Sequence, residues 1–137
     1  MALRQTIGSG APWESTVGYS RAVRVGDRVF VSGTTASDES GSVVAPGDPY
    51  RQTVYILKKI ESALARAGAT LGDVVRTRMF VSDVSTWEEV GRAHGEVFAT
   101  TRPAATLVQV GALIDPDMLV EIEVDAIVAT GADAAAD

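Results

Sequence analysis

A chain of 137 residues fits one domain with one ordinary core, burying about 65–70% of the surface its unfolded form exposes. No apolar run approaches the roughly 18–20 residues of a membrane span, and the absence of cysteine excludes disulfides, thiolate nucleophiles and cysteine-based zinc sites. Asp and Glu number 18 against 12 Lys and Arg, and the net charge of −6 opposes non-specific binding to polyphosphate, so a nucleic-acid role would need a local basic groove.

The opening residues, Met1 to Thr6, lack a charged stretch followed by an apolar one, so a cytoplasmic location is expected. Gly8-Ser9-Gly10 has neither a preceding strand nor a following helix to aim backbone N–H groups at a phosphate, and reads as a flexible lead-in. Residues 19–25 alternate with period two and residues 28–34 form a second β-branched run; Gly26-Asp27 between them suits a two-residue hairpin loop of the II′ kind. Thr35 to Gly47 is a polar loop in which Val43-Val44 could form a short strand.

The first helix opens on Asp48 as cap and Pro49 at its first position, has an apolar stripe along Val54, Leu57, Ile60, Leu64 and Ala67 broken only by Glu61, and stops at Gly68. Val74 to Val81 is then a strand with Arg76 and Arg78 on one side and Thr77, Met79 and Val81 on the other. Ser85 and Glu88 have capping-box spacing for a second helix, striped by Trp87, Val90, His94, Val97 and Phe98 and ending near Thr101, before Pro103. Strands over Thr106–Val110 and Leu119–Val128, separated by a turn at Asp115-Pro116-Asp117, complete a single domain over residues 1–129. Residues 130–137 form a Gly/Ala/Asp tail expected to be disordered.

This order gives an α+β domain whose two helices cover one face of a sheet. The strands carry apolar residues on both sides, so the other face wants a partner, and oligomerisation is the simplest remedy.

Five runs, in order, resemble the Rid family (RidA/YjgF, enamine and imine deaminases). They are Val29-Phe30-Val31-Ser32-Gly33, the helix-to-strand turn Ala67 to Val75, Arg78 to Asp83, Arg102-Pro103-Ala104-Ala105-Thr106, and Val120-Glu121-Ile122-Glu123. The likeness spans about Gly18 to Val128. It implies a chorismate-mutase-like α+β fold, a homotrimer, and small-molecule ligands held in clefts between subunits, with no cofactor and no membrane. By the same resemblance Tyr19 and Ser32 are pocket residues, with Gly33 beside Ser32, and Glu121 positions or activates the water that attacks a C=N carbon. The family's helix asparagine falls on Gly91, its carboxylate-binding arginine on Ala105, and a position that is cysteine in some members on Leu107. The pocket thus keeps a base and hydroxyls and lacks the family's anion clamp.

Read from the residues alone, Glu121, Glu123 and Asp125 share one strand face, either solvated or lining a cleft. A cleft would raise the pKa of Glu121 and suit it to proton transfer near neutral pH. His94, the sole histidine, is either a hydrogen-bonded core or interface group or a proton carrier beside a cleft; a metal site is not expected. Gly91 and Gly95 cost the second helix about 1 kcal/mol each relative to alanine, offset either by close helix-to-sheet approach or by room for a bulky ligand. Arg21, Arg78 and Arg102 are the candidates for a replacement clamp, because only arginine offers a planar fork to a carboxylate. Lys58, Lys59 and Arg76 have no interleaved aromatics of the kind a single-strand-binding groove needs.

Three functions compete on this reading: hydrolysis of reactive imines or enamines, binding or turnover of a larger or uncharged ligand, and the RNA cleavage or translation inhibition that the resemblance attaches to some family members. The acidic balance argues against the last.

Overall fold

The structure is a computed structural model that describes residues 3–129, so the expected disordered tail over 130–137 lies outside the described residues. Six strands and two helices follow in the order β1 (Arg4–Ile7), β2 (Ala22–Val25), β3 (Arg28–Thr35), α1 (Pro49–Arg66), β4 (Val74–Val81), α2 (Trp87–Phe98), β5 (Ala104–Gln109) and β6 (Val120–Ile127). They form one mixed sheet in the order β1-β2-β3-β6-β4-β5, in which only β4 and β5 run parallel, joined through α2. Both helices lie on one face, as the α+β reading expects.

The β2–β3 hairpin turns at Gly26-Asp27 with Gly26 at φ 61°, in the register Val25 opposite Arg28. Two features are absent from the sequence reading. Residues 4–7, which the sequence assigns to no element, pair with β2 as an edge strand, because Ile7 is buried in the core while its backbone satisfies the free edge of β2. Residues Glu14–Gly18 form a single π-helical turn, closed by Tyr19 N–H donating to the Glu14 carbonyl at 2.9 Å. Of the expected short strand near Val43, one bridge forms, Ser37 with Val43.

Helix α1 starts where its cap predicts: Asp48 accepts from Arg51 N–H at 3.0 Å, ahead of Pro49. It ends in a Schellman arrangement, Ala69 N–H to the Leu64 carbonyl at 2.8 Å and Gly68 N–H to the Ala65 carbonyl at 3.0 Å, with Gly68 at φ 81°. Its buried stripe is rotated from the expected one: Ile56 and Ala63 lie in the core beside Leu57, Ile60 and Leu64, whereas Val54 is only half-buried. Gln52 shifts it, since its side chain, fully buried, donates to the Asp117 carbonyl at 2.8 Å and accepts from Leu119 N–H at 2.9 Å. The expected capping box at Ser85 and Glu88 is not made. Asp83 instead accepts from Ser85 N–H at 2.9 Å and caps a short turn that leads into α2. On α2 the buried residues are Val90, Ala93 and Phe98, and the expected stripe members Trp87 and Val97 are exposed.

The core fills the space between helices and sheet with Val29, Val31, Val81, Val120, Ile122 and Val124 from the strands and Ile56, Leu57, Ile60 and Leu64 from α1. On the other face Phe30 is 45% exposed and Val108 is 42% exposed, and no element among the described residues covers them.

Candidate functional site

Strand β6 alternates without interruption: Val120, Ile122, Val124 and Ala126 are buried under the helices, and Glu121, Glu123 and Asp125 occupy the open face. Glu121 lies opposite Thr35 of β3 on one side and Phe80 of β4 on the other. Between Val31 and Thr34 the β3–β6 register shifts, and Ser32-Gly33 bulges outward opposite Glu123. This bulge shapes the site.

Gly33 has no side chain where one would collide: a Cβ built there would lie 2.1 Å from Glu121 Oε2 and 3.0 Å from its carboxyl carbon. The carboxylate therefore rests on the bulge backbone. On the other side Arg21, one residue before β2, donates from Nη2 to the Gly33 carbonyl at 2.6 Å. Ser32 does not offer a free hydroxyl, since its Oγ donates to the Ser20 carbonyl at 2.6 Å and fixes the strand that carries Arg21. Tyr19 stands beside Arg21, its ring centre 6.0 Å from the guanidinium carbon.

Burial pushes the Glu121 carboxyl above its ordinary value, and the neighbouring Glu123 adds to the rise; the positive charge of Arg21 opposes it. Burial likewise holds Arg21 below the usual guanidinium range against the attraction of Tyr19, Glu14 and Glu121. A further residue near this cluster was not read from the sequence. Lys59 of α1 reaches the end of β3, donating from Nζ to the carbonyls of Thr35 at 2.8 Å and Ser37 at 2.9 Å, and burial, then the charge of Arg21, lowers its pKa to about 8. Its position three residues beyond Ile56, at the edge of the apolar stripe, was the signal for it.

Five of the expected site residues, Tyr19, Arg21, Ser32, Gly33 and Glu121, are thus gathered on the open face. The other four are not joined to them within one chain. His94 lies on the opposite side of the sheet, where its Nε2 shares a hydrogen bond with Thr77 Oγ1 at 2.8 Å and its ring packs on Phe98 at 4.7 Å between centres. It is a half-buried histidine hydrogen-bonded to the helix-covered face of the sheet, with its pKa lowered by burial. Ala105 pairs with Thr77 on the edge strand β5, two strands from Glu121 and displaced along the sheet, because Val108 is the β5 residue in line with Phe80 and Glu121. Arg102 is exposed at the entry to β5 with φ 51°. Gly91 borders a shallow depression along α2 with Ser85, Trp87 and Arg92. A Cβ at Gly91 or Gly95 would meet no atom within 4 Å, so close helix-to-sheet approach does not account for either glycine. A second depression, of about 370 Å³, lies against α1 between Val44 and Tyr55. Both hollows are remote from Glu121, whose cluster lies on the flat, uncovered sheet face. No group of three or more metal-ligating side chains is found among the described residues.

Comparison with known proteins matches residues 10–128 to the family described as Endoribonuclease L-PSP. An uncharacterized protein of Streptomyces coelicolor is 42% identical over 120 residues, covering 88% of this chain and 89% of that protein. The 3-aminoacrylate deaminase RutC of Acinetobacter baylyi is 38% identical over 104 residues, covering 76% and 82% of the two chains. Among solved structures, a member of the YjgF/YER057c/UK114 family from Mycobacterium tuberculosis is 51% identical with a TM-score of 0.83, covering 92% of this chain and all of that one.

Proposed function

Because the chain belongs to the Endoribonuclease L-PSP (YjgF/RidA) family, we propose that it hydrolyses reactive imine or enamine metabolites, with Glu121 moving the proton of the attacking water. The observation that carries this reading is the Glu121 carboxylate, half-buried on the Gly33 bulge with its proton affinity raised by burial. Such a group holds and releases a proton closer to neutral pH than a solvated carboxylate does. An enamine first tautomerises to its imine. Water then adds to the C=N carbon as Glu121 takes a proton from it and passes it to the nitrogen; the new hydroxyl gives up its proton, again by way of Glu121, to the amine, which leaves as ammonia as the carbonyl forms.

A relative named as a 3-aminoacrylate deaminase supports this class of substrate. The face around Glu121 opposes RNA cleavage, because Glu123 and Asp125 share it and Arg78 is already held between them, 3.3 Å from each. The uncovered face with Phe30 and Val108 supports assembly with further copies of the chain, as a homotrimer in which the flat Glu121 face becomes one wall of a cleft.

The test is the decay of an imine generated by a pyridoxal-phosphate dehydratase. Decay accelerates with the protein present and returns to the spontaneous rate with Glu121→Ala. The accelerated rate rises with pH through an apparent pKa above the ordinary 4.5 of a glutamate, since the ionised form is the base. Equal decay with and without the protein rejects the proposal.

A further inference from the structure

Arg21 is unlike the other arginines whose surroundings the structure defines. Its guanidinium is largely withdrawn from water, and burying a cation without a counter-charge is costly. Yet among the described residues no carboxylate lies within 4 Å of it; the ion pairs at that distance belong to Arg78, with Glu123 and Asp125. One donor, Nη2, is spent on the Gly33 carbonyl. Nε is buried with no hydrogen-bond partner, and it is the one such side-chain atom among the described residues. Nη1 makes no hydrogen bond among these residues and is not buried. The nearby carboxylates Glu14 and Glu121 attract the guanidinium but do not outweigh its desolvation. Lys59 adds a second positive charge behind it, already satisfied by the Thr35 and Ser37 carbonyls.

The rest of the site shares this asymmetry. Gly33 separates the two charges: the guanidinium holds its carbonyl, and the Glu121 carboxyl occupies the place of its missing side chain. A cation with open donor capacity and a carboxyl with raised proton affinity therefore stand side by side on the open face without forming a close pair. The three candidate clamps are also no longer equivalent. Arg78 is committed to two carboxylates, and Arg102 is exposed at the far end of β5 from the row that contains Glu121.

We propose that Arg21 is the anion-recognition residue of this site, holding the carboxylate of a small 2-imino or enamine acid through its exposed, unbonded Nη1 while the C=N carbon faces Glu121. This rests on the hydrolase reading and deepens it by naming a monoanionic substrate class. The ligand's carboxylate supplies the counter-charge that the fold withholds from Arg21.

The experiment titrates the full-length chain with 2-oxobutanoate and, in parallel, with the neutral ketone 2-butanone, read by thermal shift and by NMR chemical-shift titration. The wild type is expected to bind the keto acid saturably and to ignore the ketone. Arg21→Gln weakens keto-acid binding roughly ten- to hundredfold, the worth of a lost charged hydrogen bond; Arg21→Lys, which keeps the charge without the fork, falls between. Glu121→Gln binds the keto acid as tightly as wild type or more tightly, because a repelling charge is gone. Equal affinity of wild type and Arg21→Gln, or no keto-acid binding by the wild type into the millimolar range, overturns the assignment. If Arg21→Gln fails to fold by circular dichroism, Arg21→Lys decides: unchanged affinity in that variant overturns it as well. The imine-decay assay run alongside separates the two readings. Capture through Arg21 without hydrolysis overturns the hydrolase and leaves the anion site; hydrolysis undiminished in Arg21→Gln overturns the anion site and leaves the hydrolase.

Discussion

Glu121 and Gly33 behave as one unit, and their coupling is measurable. In the wild type a methyl at position 33 would press on the carboxyl of Glu121, so Gly33→Ala is expected to cost about 1–3 kcal/mol in denaturant unfolding, the usual penalty for overfilling a packed site. Once Glu121 is shortened to alanine the obstruction disappears. Gly33→Ala in a Glu121→Ala background should therefore cost much less, and equal costs in the two backgrounds would show that the contact is not what requires glycine. Chemistry at this scale was partly legible in the chain itself. An acid inside a Val-Glu-Ile-Glu alternation has to face away from the core, so the side of the sheet on which Glu121 falls followed from period two alone. That it would rest on a bulge beside an unpaired arginine did not, because a bulge is a mismatch between two strands some 90 residues apart. His94 shows the opposite failure: its helical stripe placed it against the sheet, but periodicity carries no information on which sheet face the helix covers relative to Glu121.

At the level of elements, the ends of α1 were readable because caps are local. Asp48, Pro49 and Gly68 each act through the backbone of their own few residues. Gly68 also lies under Arg24, whose Nη1 would be 2.8 Å from an added Cβ and donates to the Ala67 carbonyl at 2.8 Å. Gly68→Ala should lower stability by about 1–2 kcal/mol from the left-handed backbone alone, with the arginine contact adding to it; a chemical melt indistinguishable from wild type would contradict this stop. The α1 stripe, by contrast, was misplaced by the polar Gln52, which side-chain type puts on the surface. Its buried position depends on carbonyl and N–H groups of residues 45 and 117–119, supplied by other parts of the chain. Strand β1 was missed for a related reason: four residues with one buried apolar side chain have no pattern of their own and are strand only because β2 has an edge to satisfy.

For the molecule as a whole, the uncovered sheet face is the feature with the largest consequence. Phe30 stands in its middle, opposite Asp125 and near Arg78, and an apolar ring left in water beside charges gains free energy from a second surface. Light scattering after size exclusion should give three times the 14.3 kDa of one chain, and Phe30→Asp should shift the protein towards the single-chain mass while circular dichroism stays unchanged; a wild type that runs as one chain would remove the cleft from the proposed function. Taken by itself the sequence determined the succession of elements from β2 onward, the α+β class, the inward and outward faces of β6 and the family likeness, since these depend on periodicity and on caps and turns acting over a few residues. Tertiary structure alone decided that Tyr19, Arg21, Ser32, Gly33 and Glu121 meet within one chain while His94 and Ala105 do not join them there, because strand order and register are set by pairing between distant segments, and local residues cannot specify which distant partner supplies the other half of a site.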